Sequence, residues 1–345
     1  MEIEKLVRKN ILQMKAYSSA RDEFTNTSQE MLFMDANENP FDSGYNRYPD
    51  PYALNLKAKI SEVKQVPQEN ILLGNGSDEV LDLLFRLFCE PYKDEVIITP
   101  PTYGMYQVLA ELNAIELKKV NLNVDFQLPT ESILEAVTSA TKMIFICSPN
   151  NPSGNLMSVQ SIKKILTSFA GIVVIDEAYI DFSDRSTFAN ELNFYPNLVI
   201  IQTFSKAWAH AGIRLGMCFA QESIIQLMNK IKPPYNINQL TQEKALTVLE
   251  HQSTYKNQVQ ILVSERELLV NKLNAVEWVF KIFPSDANFL LVEVDDANLR
   301  YQQLIDFGVV VRNRTHEVNC KNCLRISIGT PDENLYLMDI IKRLN

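Results

Sequence analysis

The stretch IQTFSKAWAHAGIRLG, residues 201–216, places a single lysine among hydroxyl side chains directly after an apolar segment. The apolar run at 198–201 predicts a short strand that ends just before Ser205 and Lys206. Partial burial lowers the pKa of a lysine in such a position, so that it can trap a carbonyl group at neutral pH. Hydroxyls beside the Arg214 guanidinium suit a phosphate. The stretch therefore suggests a site for pyridoxal phosphate, which carries both an aldehyde and a phosphate. The alternative is a solvated Lys206 at the start of a surface helix.

Length and composition indicate an ordinary globular protein with more than one structural unit. The chain has 345 residues, of which 46% are hydrophobic and 22% are charged. This length exceeds the size at which a single core usually stops growing. The formal net charge is −9, and the basic residues are scattered along the sequence. Nucleic acid is therefore not expected as a partner.

The N-terminal sequence and the cysteines predict a cytoplasmic location. MEIEKLVRKNILQMK alternates charged and apolar residues, unlike a secretory signal, and no segment approaches the length of a membrane span. Five cysteines, an odd number, fit a reducing compartment. Cys320 and Cys323 form a CxxC, but no second pair or histidine cluster accompanies them. We interpret them as residues that border a strand at 323–328, and we expect no metal site.

Apolar segments alternate with helical patterns through most of the chain, which predicts a buried, mostly parallel sheet covered by helices. The segments are ILLGNGSDEVLDLLFRLF, EVIITPPTYGMYQVLAEL, KMIFICSPNNPSG with a helix at 158–169, GIVVIDEAY and NLVIIQTFSK. Residues 222–280 favour helices, with a break at Pro233. NFLLVEV, GVVVRNR and CLRISIG then predict a smaller α/β unit with helices at 297–306 and 332–344. Open sheets of this kind bind ligands beyond the carboxyl ends of their strands.

We therefore predict a large cofactor-binding domain at 31–255 and a small C-terminal domain at 256–345. Residues 1–30 form an arm, predicted to begin as an amphipathic helix and to pack with the small domain. The apolar face of this helix holds Ile3, Leu6, Val7, Ile11 and Met14. MLFMDANENP, which follows the arm, predicts a short strand that ends in a polar turn.

GNGSDE, residues 74–79, links a predicted strand to a predicted helix and indicates an anion site. The backbone amides of Gly76, Ser77 and Asp78 would point outward at the helix N-terminus, with the Ser77 hydroxyl beside them. The third glycine of GxGxxG is missing, and no Walker lysine pattern is present, so a nucleotide is less favoured. The alternative is an N-capped helix that binds no ligand.

Polar side chains at the ends of three other predicted strands extend this pattern. Asp176 of DEAY follows the apolar run GIVVI, and a buried carboxylate needs a cationic partner such as a pyridinium nitrogen. Tyr179 and Asn151 would then donate to the phenolic oxygen of the same ring, and Tyr103 would stack on it. The alternatives are a plain turn for Asn151 and an ordinary core position for Tyr103.

Together these motifs resemble the fold-type I family of pyridoxal-phosphate aminotransferases, from about residue 17 to the C-terminus. The resemblance implies the PLP-dependent transferase fold type I, an α/β fold with a mostly parallel sheet covered by helices and a smaller α/β C-terminal domain. It makes Lys206 the residue that bonds to pyridoxal 5'-phosphate (PLP) and moves protons, with Asp176 and Tyr179 also catalytic. The other cofactor-binding residues would be Gly76, Ser77, Asp78, Tyr103, Asn151, Thr203, Ser205 and Arg214. Tyr48 would reach the cofactor phosphate of the other subunit, which implies a homodimer with a composite active site.

Within that superfamily, DANENP, NRYPDP, SKAWAHAGIRLG, VVRNR and CLRISIG resemble the histidinol-phosphate aminotransferase family most closely. This resemblance implies reversible amino transfer between L-histidinol phosphate and 2-oxoglutarate, giving imidazole acetol phosphate and L-glutamate in histidine biosynthesis. The expected substrate-binding residues are Tyr17, Asn39, Arg312 and Arg325. The apolar neighbours of Arg325 take the other face of its strand, which turns the guanidinium toward the polar side. Arg314 is close enough to Arg312 to replace it.

Other functions use the same cofactor residues and stay open as alternatives. They are an aromatic or general amino-acid aminotransferase and a phosphothreonine decarboxylase of the same fold. A ligand sensor with this cofactor pocket would carry an added DNA-binding segment, and the arm of about thirty residues is too short for one and is not basic. A purely structural role would leave Lys206 and Asp176 unexplained. His210 departs from the family, which more often has a small or apolar residue there, and we expect it to face solvent.

Overall fold

The computed structural model describes residues 3–18 and 32–344, and within them the chain forms one large and one small β-sheet. The large sheet contains β1 Ile71–Asn75, β2 Glu95–Ile98, β3 Glu116–Lys119, β4 Thr141–Cys147, β5 Ile172–Asp176, β6 Leu198–Thr203 and β7 Leu215–Ala220. Their order is β1-β7-β6-β5-β4-β2-β3. The neighbours from β3 to β6 are parallel, whereas β7 runs antiparallel to both β6 and β1. The predicted, mostly parallel sheet is confirmed.

Helices cover both faces of this sheet. Along β4, Met143 and Phe145 pack into one core and Ile144 and Ile146 into the other, because successive side chains of a strand point to opposite faces. The Met143 face is covered by α3 Ser77–Phe88, α4 Met105–Leu112 and α7 Glu222–Ile231. The opposite face is covered by α2 Leu54–Lys64, α5 Thr130–Glu135, α6 Val159–Ser168 and α8 Gln239–Glu250. Burial on both sides explains why the central strands are apolar throughout.

The parallel strands end at one edge of the sheet, and the loops there carry predicted site residues. β4, β5 and β6 end at Cys147, Asp176 and Thr203. β1 points to the same edge, because it is antiparallel to β7, which is itself antiparallel to β6. Only one residue separates β1 from α3. The N-terminus of α3 therefore lies beside the lysine loop, residues 201–216.

The C-terminal unit is built on an antiparallel sheet. Its strands are β8 Val279–Ile282, β9 Phe289–Val294, β10 Arg312–Asn313 and β11 Cys323–Ser327, in the order β10-β11-β9-β8. α10 Ala297–Asp306 and α11 Pro331–Arg343 pack on it around a separate apolar core. A capping box between Thr330 and Glu333 starts α11. The predicted α/β unit is confirmed, although the strand expected from GVVVRNR is only two residues long.

One long helix, α9 Gln252–Leu273, joins the two units. Near its start, Tyr255 stacks on Trp208 of the lysine loop, with ring centroids 3.9 Å apart and planes at 2°. Near its end, Leu269 and Leu273 belong to the core of the C-terminal unit. The predicted domain boundary between residues 255 and 256 falls near the start of α9 and stays a prediction.

The described part of the arm differs from the prediction. It forms a short 3-10 helix, Ile3–Lys5, and α1 Lys9–Gln13, where one amphipathic helix was expected. Ile3, Val7 and Ile11 pack into the core on the Met143 face of the large sheet, and the Arg8 amide donates to the Leu87 carbonyl at 3.1 Å. Within residues 3–18, the prediction that the arm packs with the small domain is therefore wrong. The apolar side chains of Ile3, Val7 and Ile11 are instead buried on the sheet domain.

The strand predicted from MLFMDANENP is also absent where the structure describes it, at residues 32–40, which form turns and irregular backbone. The side chains of Leu32 and Met34 are 82% and 85% exposed. A strand is stabilised by one buried face, and these two exposed side chains do not supply one. Within the described ranges, none of the helices combines the length and apolar character needed to span a bilayer.

Candidate active site

A cavity of about 580 Å³ opens at the carboxyl edge of the large sheet. This volume lies within the ~300–1,000 Å³ range of small-molecule sites. Most of the residues predicted for the site line it, namely Ser77, Asp78, Tyr103, Asn151, Asp176, Tyr179, Thr203, Ser205, Lys206, Arg214, Arg312 and Arg325. The first ten come from the large sheet and its loops, and the two last arginines come from β10 and β11. Both units therefore contribute to one site.

Two glycines shape an anion cup at the start of α3. Gly76 has φ +78, and a Cβ there would lie 2.5 Å from Nη2 of Arg214. A Cβ at Gly216 would lie 2.3 Å from the Ser77 amide nitrogen. Only glycine at both positions lets Arg214 and β7 approach the first amides of α3, which carry no side-chain cap. Outward amides, the Ser77 hydroxyl and a guanidinium form a site suited to a phosphate.

Tyr103 stands at the wall of the cavity and is held by Asp78. Its hydroxyl donates to Asp78 Oδ1 at 3.0 Å, and Arg214 lies 3.9 Å from the same carboxylate. Burial, and then the Asp78 charge, raises the pKa of Tyr103, so that the hydroxyl stays protonated and keeps donating. The ring packs edge-on against Tyr106, with centroids 5.6 Å apart. Stacking of Tyr103 on the cofactor stays a prediction.

Lys206 lies in the cavity, in the loop that follows β6. Its side chain is accessible from the cavity, yet the surrounding protein atoms lower its pKa, and the Arg325 guanidinium lowers it further. The Lys206 Nζ lies 5.6 Å from the centre of the Tyr179 ring. Beside it, the hydroxyls of Thr203 and Ser205 are 3.0 Å apart. A lysine with a lowered pKa has the neutral amine needed for carbonyl chemistry.

Asp176 is a buried carboxylate that faces the cavity from the end of β5. Its Oδ2 accepts from the Tyr106 hydroxyl at 2.7 Å, and its Oδ1 accepts from the Ala178 amide at 3.0 Å. Burial raises the pKa of Asp176, while these two hydrogen bonds lower it. Within the described part of the chain, Asp176 forms no ion pair with a lysine or arginine. A cationic group in the cavity would compensate this charge.

A hydrogen bond between Arg325 and Asn151 links the two units across the cavity. Arg325 donates from Nη1 to Asn151 Oδ1 at 2.5 Å, and its guanidinium lies 5.3 Å from the centre of the Phe289 ring. In the pairing of β10 with β11, Arg325 lies directly opposite Arg312. Burial raises the pKa of the Tyr179 hydroxyl, which therefore stays a hydrogen-bond donor. The cavity that holds Lys206 thus also holds the paired guanidiniums of Arg312 and Arg325.

Three charged or phenolic residues of the cavity region were absent from the predicted site. Arg314 and Glu317 line the cavity, with 3.6 Å between Arg314 Nη1 and Glu317 Oε1. Arg314 had been considered only as a substitute for Arg312, and no pattern marked Glu317. Tyr106 is fully buried behind Asp176. Its signal was present in PPTYGMY, where it follows Tyr103 by three residues.

Some predicted residues are not brought to this cavity. Tyr17 is 71% exposed, and Asn39 makes its hydrogen bonds with residues of its own loop, Phe41 and Asn46. Tyr48 stacks on Tyr235 with centroids 4.5 Å apart and lines a separate surface cleft. Roles for these three residues stay predictions, and that of Tyr48 concerns a second subunit. His210, expected to face solvent, is half-buried, and its Nδ1 contacts the Trp208 carbonyl oxygen.

The sequence matches the family model described as aminotransferase class I and II over residues 32–341. The chain belongs to this aminotransferase family. Within the class I and II family, the histidinol-phosphate aminotransferase of Flavobacterium johnsoniae is 54% identical over 345 residues, covering 100% of this chain and 99% of that protein.

Solved structures of two histidinol-phosphate aminotransferases agree with the fold. The histidinol-phosphate aminotransferase from Clostridium acetobutylicum matches with a TM-score of 0.81 and 23% identity, covering 87% of this chain and 91% of that one. That from Sinorhizobium meliloti, solved in complex with pyridoxal-5'-phosphate, matches with a TM-score of 0.78 and 23% identity over 87% and 84% of the two chains. The predicted family, enzyme class and fold are confirmed.

Proposed function

We propose that the protein transfers an amino group between L-histidinol phosphate and 2-oxoglutarate, giving imidazole acetol phosphate and L-glutamate in histidine biosynthesis. The observation that carries this proposal is the pair Arg312 and Arg325, opposite each other at a cavity that also holds Lys206. A guanidinium can form bidentate hydrogen bonds with a phosphate or a carboxylate, and two paired guanidiniums can bind the same anion. High identity to a histidinol-phosphate aminotransferase over the whole chain supports the same substrates.

The cavity residues fit PLP as the cofactor. The cup formed by Ser77, Ser205 and Arg214 would hold the phosphate, and the uncompensated Asp176 would hold the protonated ring nitrogen. Asn151 and Tyr179 would donate to the phenolic oxygen. When bound, PLP supplies an aldehyde that bonds to amino groups and a cationic ring that withdraws electrons from the reacting carbon.

The protein's own groups would divide the remaining tasks. Lys206 Nζ would move the proton between the α carbon of the substrate and the cofactor, a role that its lowered pKa favours. Arg325 would bind the carboxylate of glutamate or 2-oxoglutarate, and Arg312 would bind the phosphate of histidinol phosphate, with Arg314 adjacent. The side chain of Asp176 would stay ionised opposite the ring.

A homodimer with a composite site completes the proposal. Tyr48 and its neighbours, including Tyr45 and Leu240, line a surface cleft outside the main cavity. A second subunit could bind at this cleft and contact these side chains. We place Tyr48 at the phosphate of the partner's cofactor. A cytoplasmic location is proposed as well, and five cysteines that are all buried and unpaired agree with a reducing compartment.

The test is a comparison of substrates with the PLP-loaded enzyme. Purified protein is mixed with L-histidinol phosphate and 2-oxoglutarate, and both glutamate and imidazole acetol phosphate are quantified. Phenylalanine, tyrosine and O-phospho-L-threonine serve as competing substrates. We expect the histidinol phosphate reaction to have the highest kcat/KM. Efficient transamination of phenylalanine or tyrosine without use of L-histidinol phosphate would overturn the proposal in favour of an aromatic aminotransferase. Release of carbon dioxide from phosphothreonine as the main reaction would favour the decarboxylase.

A further inference from the structure

Tyr106 stands behind the cavity, with its phenol directed at Asp176. Its side chain is fully buried, and its hydroxyl donates to Asp176 Oδ2 at 2.7 Å. Among residues 3–18 and 32–344, the hydroxyl is one of two donors that fix this carboxylate, the other being the Ala178 amide. Nothing in the proposed reaction uses Tyr106 directly.

Packing holds the Tyr106 ring in a single orientation. The ring stacks on Phe145 of β4 with centroids 5.0 Å apart and planes at 22°, and it packs edge-on against Tyr103. α4 carries Tyr106 on its first turn, while β4 and β5 carry Phe145 and Asp176 as neighbouring strands of the sheet. The hydroxyl therefore cannot leave the carboxylate without displacing two other aromatic rings.

We propose that Tyr106 is a positioning residue that keeps Asp176 ionised and aimed at the ring nitrogen of the cofactor. Hydrogen bonds to the charged form of a carboxylate favour that form, and burial opposes it. A neutral Asp176 would lose its charge pairing with the protonated ring. The inference rests on the proposed use of PLP, but it does not depend on which amino donor is the substrate.

Several charged and titratable groups surround Asp176 and also influence its pKa. They are Asp78 of α3, Tyr103 and Tyr106 of the α4 region, Cys147 of β4, Tyr179 after β5 and Lys206 after β6. Burial raises the pKa of Asp176, and the Tyr106 hydroxyl is the largest influence that lowers it. Removal of that hydroxyl should therefore make Asp176 take up a proton at a higher pH.

The test uses Tyr106→Phe, which keeps the ring and removes only the hydroxyl. PLP is titrated into the apo-protein at a series of pH values, with its Kd and its visible absorbance recorded. Hydrogen bonds to charged groups are worth about 1.5–3 kcal/mol, and this one exists without PLP as well, so that only part of its worth enters the Kd and we expect PLP to bind roughly tenfold more weakly. The acidic limit of PLP binding should also move to higher pH. Tyr301→Phe, which removes a hydroxyl from the C-terminal unit, is the matched control and should behave as wild type.

A double-mutant cycle separates positioning from simple packing. In an Asp176→Asn background, loss of the Tyr106 hydroxyl should weaken PLP binding by no more than about twofold, because the group through which it acts has gone. Equal losses in both backgrounds would overturn the inference, as would a Tyr106→Phe protein with wild-type Kd, absorbance and acidic limit. Absence of PLP binding by the wild-type protein would instead reject the proposed function.

Discussion

Adjacent carboxylates at the end of β5 are used in two different ways. Asp176 faces the cavity, whereas Glu177 is buried inside the protein and accepts from the Thr187 hydroxyl, the Phe188 amide at 2.7 Å and the Gln202 side chain at 2.9 Å. Burial raises the pKa of both carboxyls. Because neighbouring residues of an extended chain point to opposite sides, one carboxylate can stabilise the fold while the next serves a ligand.

Replacing Lys206 with alanine should remove catalysis and leave the fold intact. The side chain lies in the cavity and makes no hydrogen bond or ion pair that the structure describes, so thermal unfolding should change by only a few degrees. Glutamate formation should fall by about a thousandfold or more, because the proton-transferring amine is lost. Lys281→Ala, on β8, is the control. Wild-type turnover in Lys206→Ala would show that the central assignment is wrong.

Replacing Arg325 with glutamine should change the pH dependence of PLP capture. Lys206 has a pKa below its ordinary 10.5, first because of burial and then because of the Arg325 charge. Without that charge its pKa rises, and less neutral amine is present at a given pH. We expect the midpoint of the PLP association rate to move to higher pH. Arg343→Gln removes an exposed charge from the end of α11 and should leave the midpoint unchanged. A constant midpoint in Arg325→Gln would contradict the electrostatic coupling.

Among the secondary structure elements, the junction of β1, β7 and α3 determines the shape of the anion cup. Gly74 lies opposite Gly216 in the β1–β7 pairing, and Thr203 of β6 lies opposite Gly216 on the other side. The Gly76 amide donates to the Arg214 carbonyl at 2.8 Å, which ties the start of α3 to the end of the lysine loop. β1, β7 and α3 therefore lie closer together than they could if residues 74 and 216 carried side chains.

Gly216→Ala tests this close approach. The new Cβ would lie 2.3 Å from the Ser77 nitrogen and 2.4 Å from the Gly76 carbonyl carbon, and both are backbone atoms that cannot move alone. We expect a loss of about 1–3 kcal/mol in the free energy of unfolding, together with weaker PLP binding. Gly212→Ala, in the same loop, has no atom within 4 Å of its Cβ and is the matched control. Chemical denaturation and PLP titration of both variants make the comparison, and equal behaviour would refute a steric role for Gly216.

Sequence patterns predicted the elements that are buried on both faces, such as β5 and β6, because their residues are continuously apolar. Asp176 and Lys206 were predictable because a reactive side chain follows each of these strands. The position of β7 between β1 and β6 could not be predicted, because periodicity does not encode which strands pair. Tyr106 resembled a core aromatic residue, because it acts on a neighbouring side chain and does not line the cavity itself.

At the scale of the whole molecule, one edge of the described chain remains rich in exposed aromatic side chains. Phe41 is 82% exposed and Tyr48 is 50% exposed, and Tyr45 and Leu240 lie close to Tyr48 in the same surface cleft. Contiguous exposed apolar residues commonly mark a protein interface. A second copy of the chain would cover this surface and bring Tyr48 into a neighbouring site.

Mixed dimers test the composite site. Lys206→Ala and Tyr48→Ala should each be nearly inactive alone and should sediment as dimers. After the two proteins are mixed and their subunits exchange, half of the dimers are mixed, and each has one site with both native residues. We therefore expect recovery of about a quarter of the wild-type activity. No recovery after demonstrated exchange, or full activity of a monomer in sedimentation, would contradict the shared site.

The stack of Trp208 on Tyr255 gives the chain an intrinsic optical reporter. The sequence contains two tryptophans, Trp208 two residues after Lys206 and Trp278 in the C-terminal unit beneath the Arg300 guanidinium. With Trp278 replaced by phenylalanine, all indole emission would come from the lysine loop. The intensity and wavelength of this emission would then report any change in the packing of the lysine loop against α9, without an added fluorescent label.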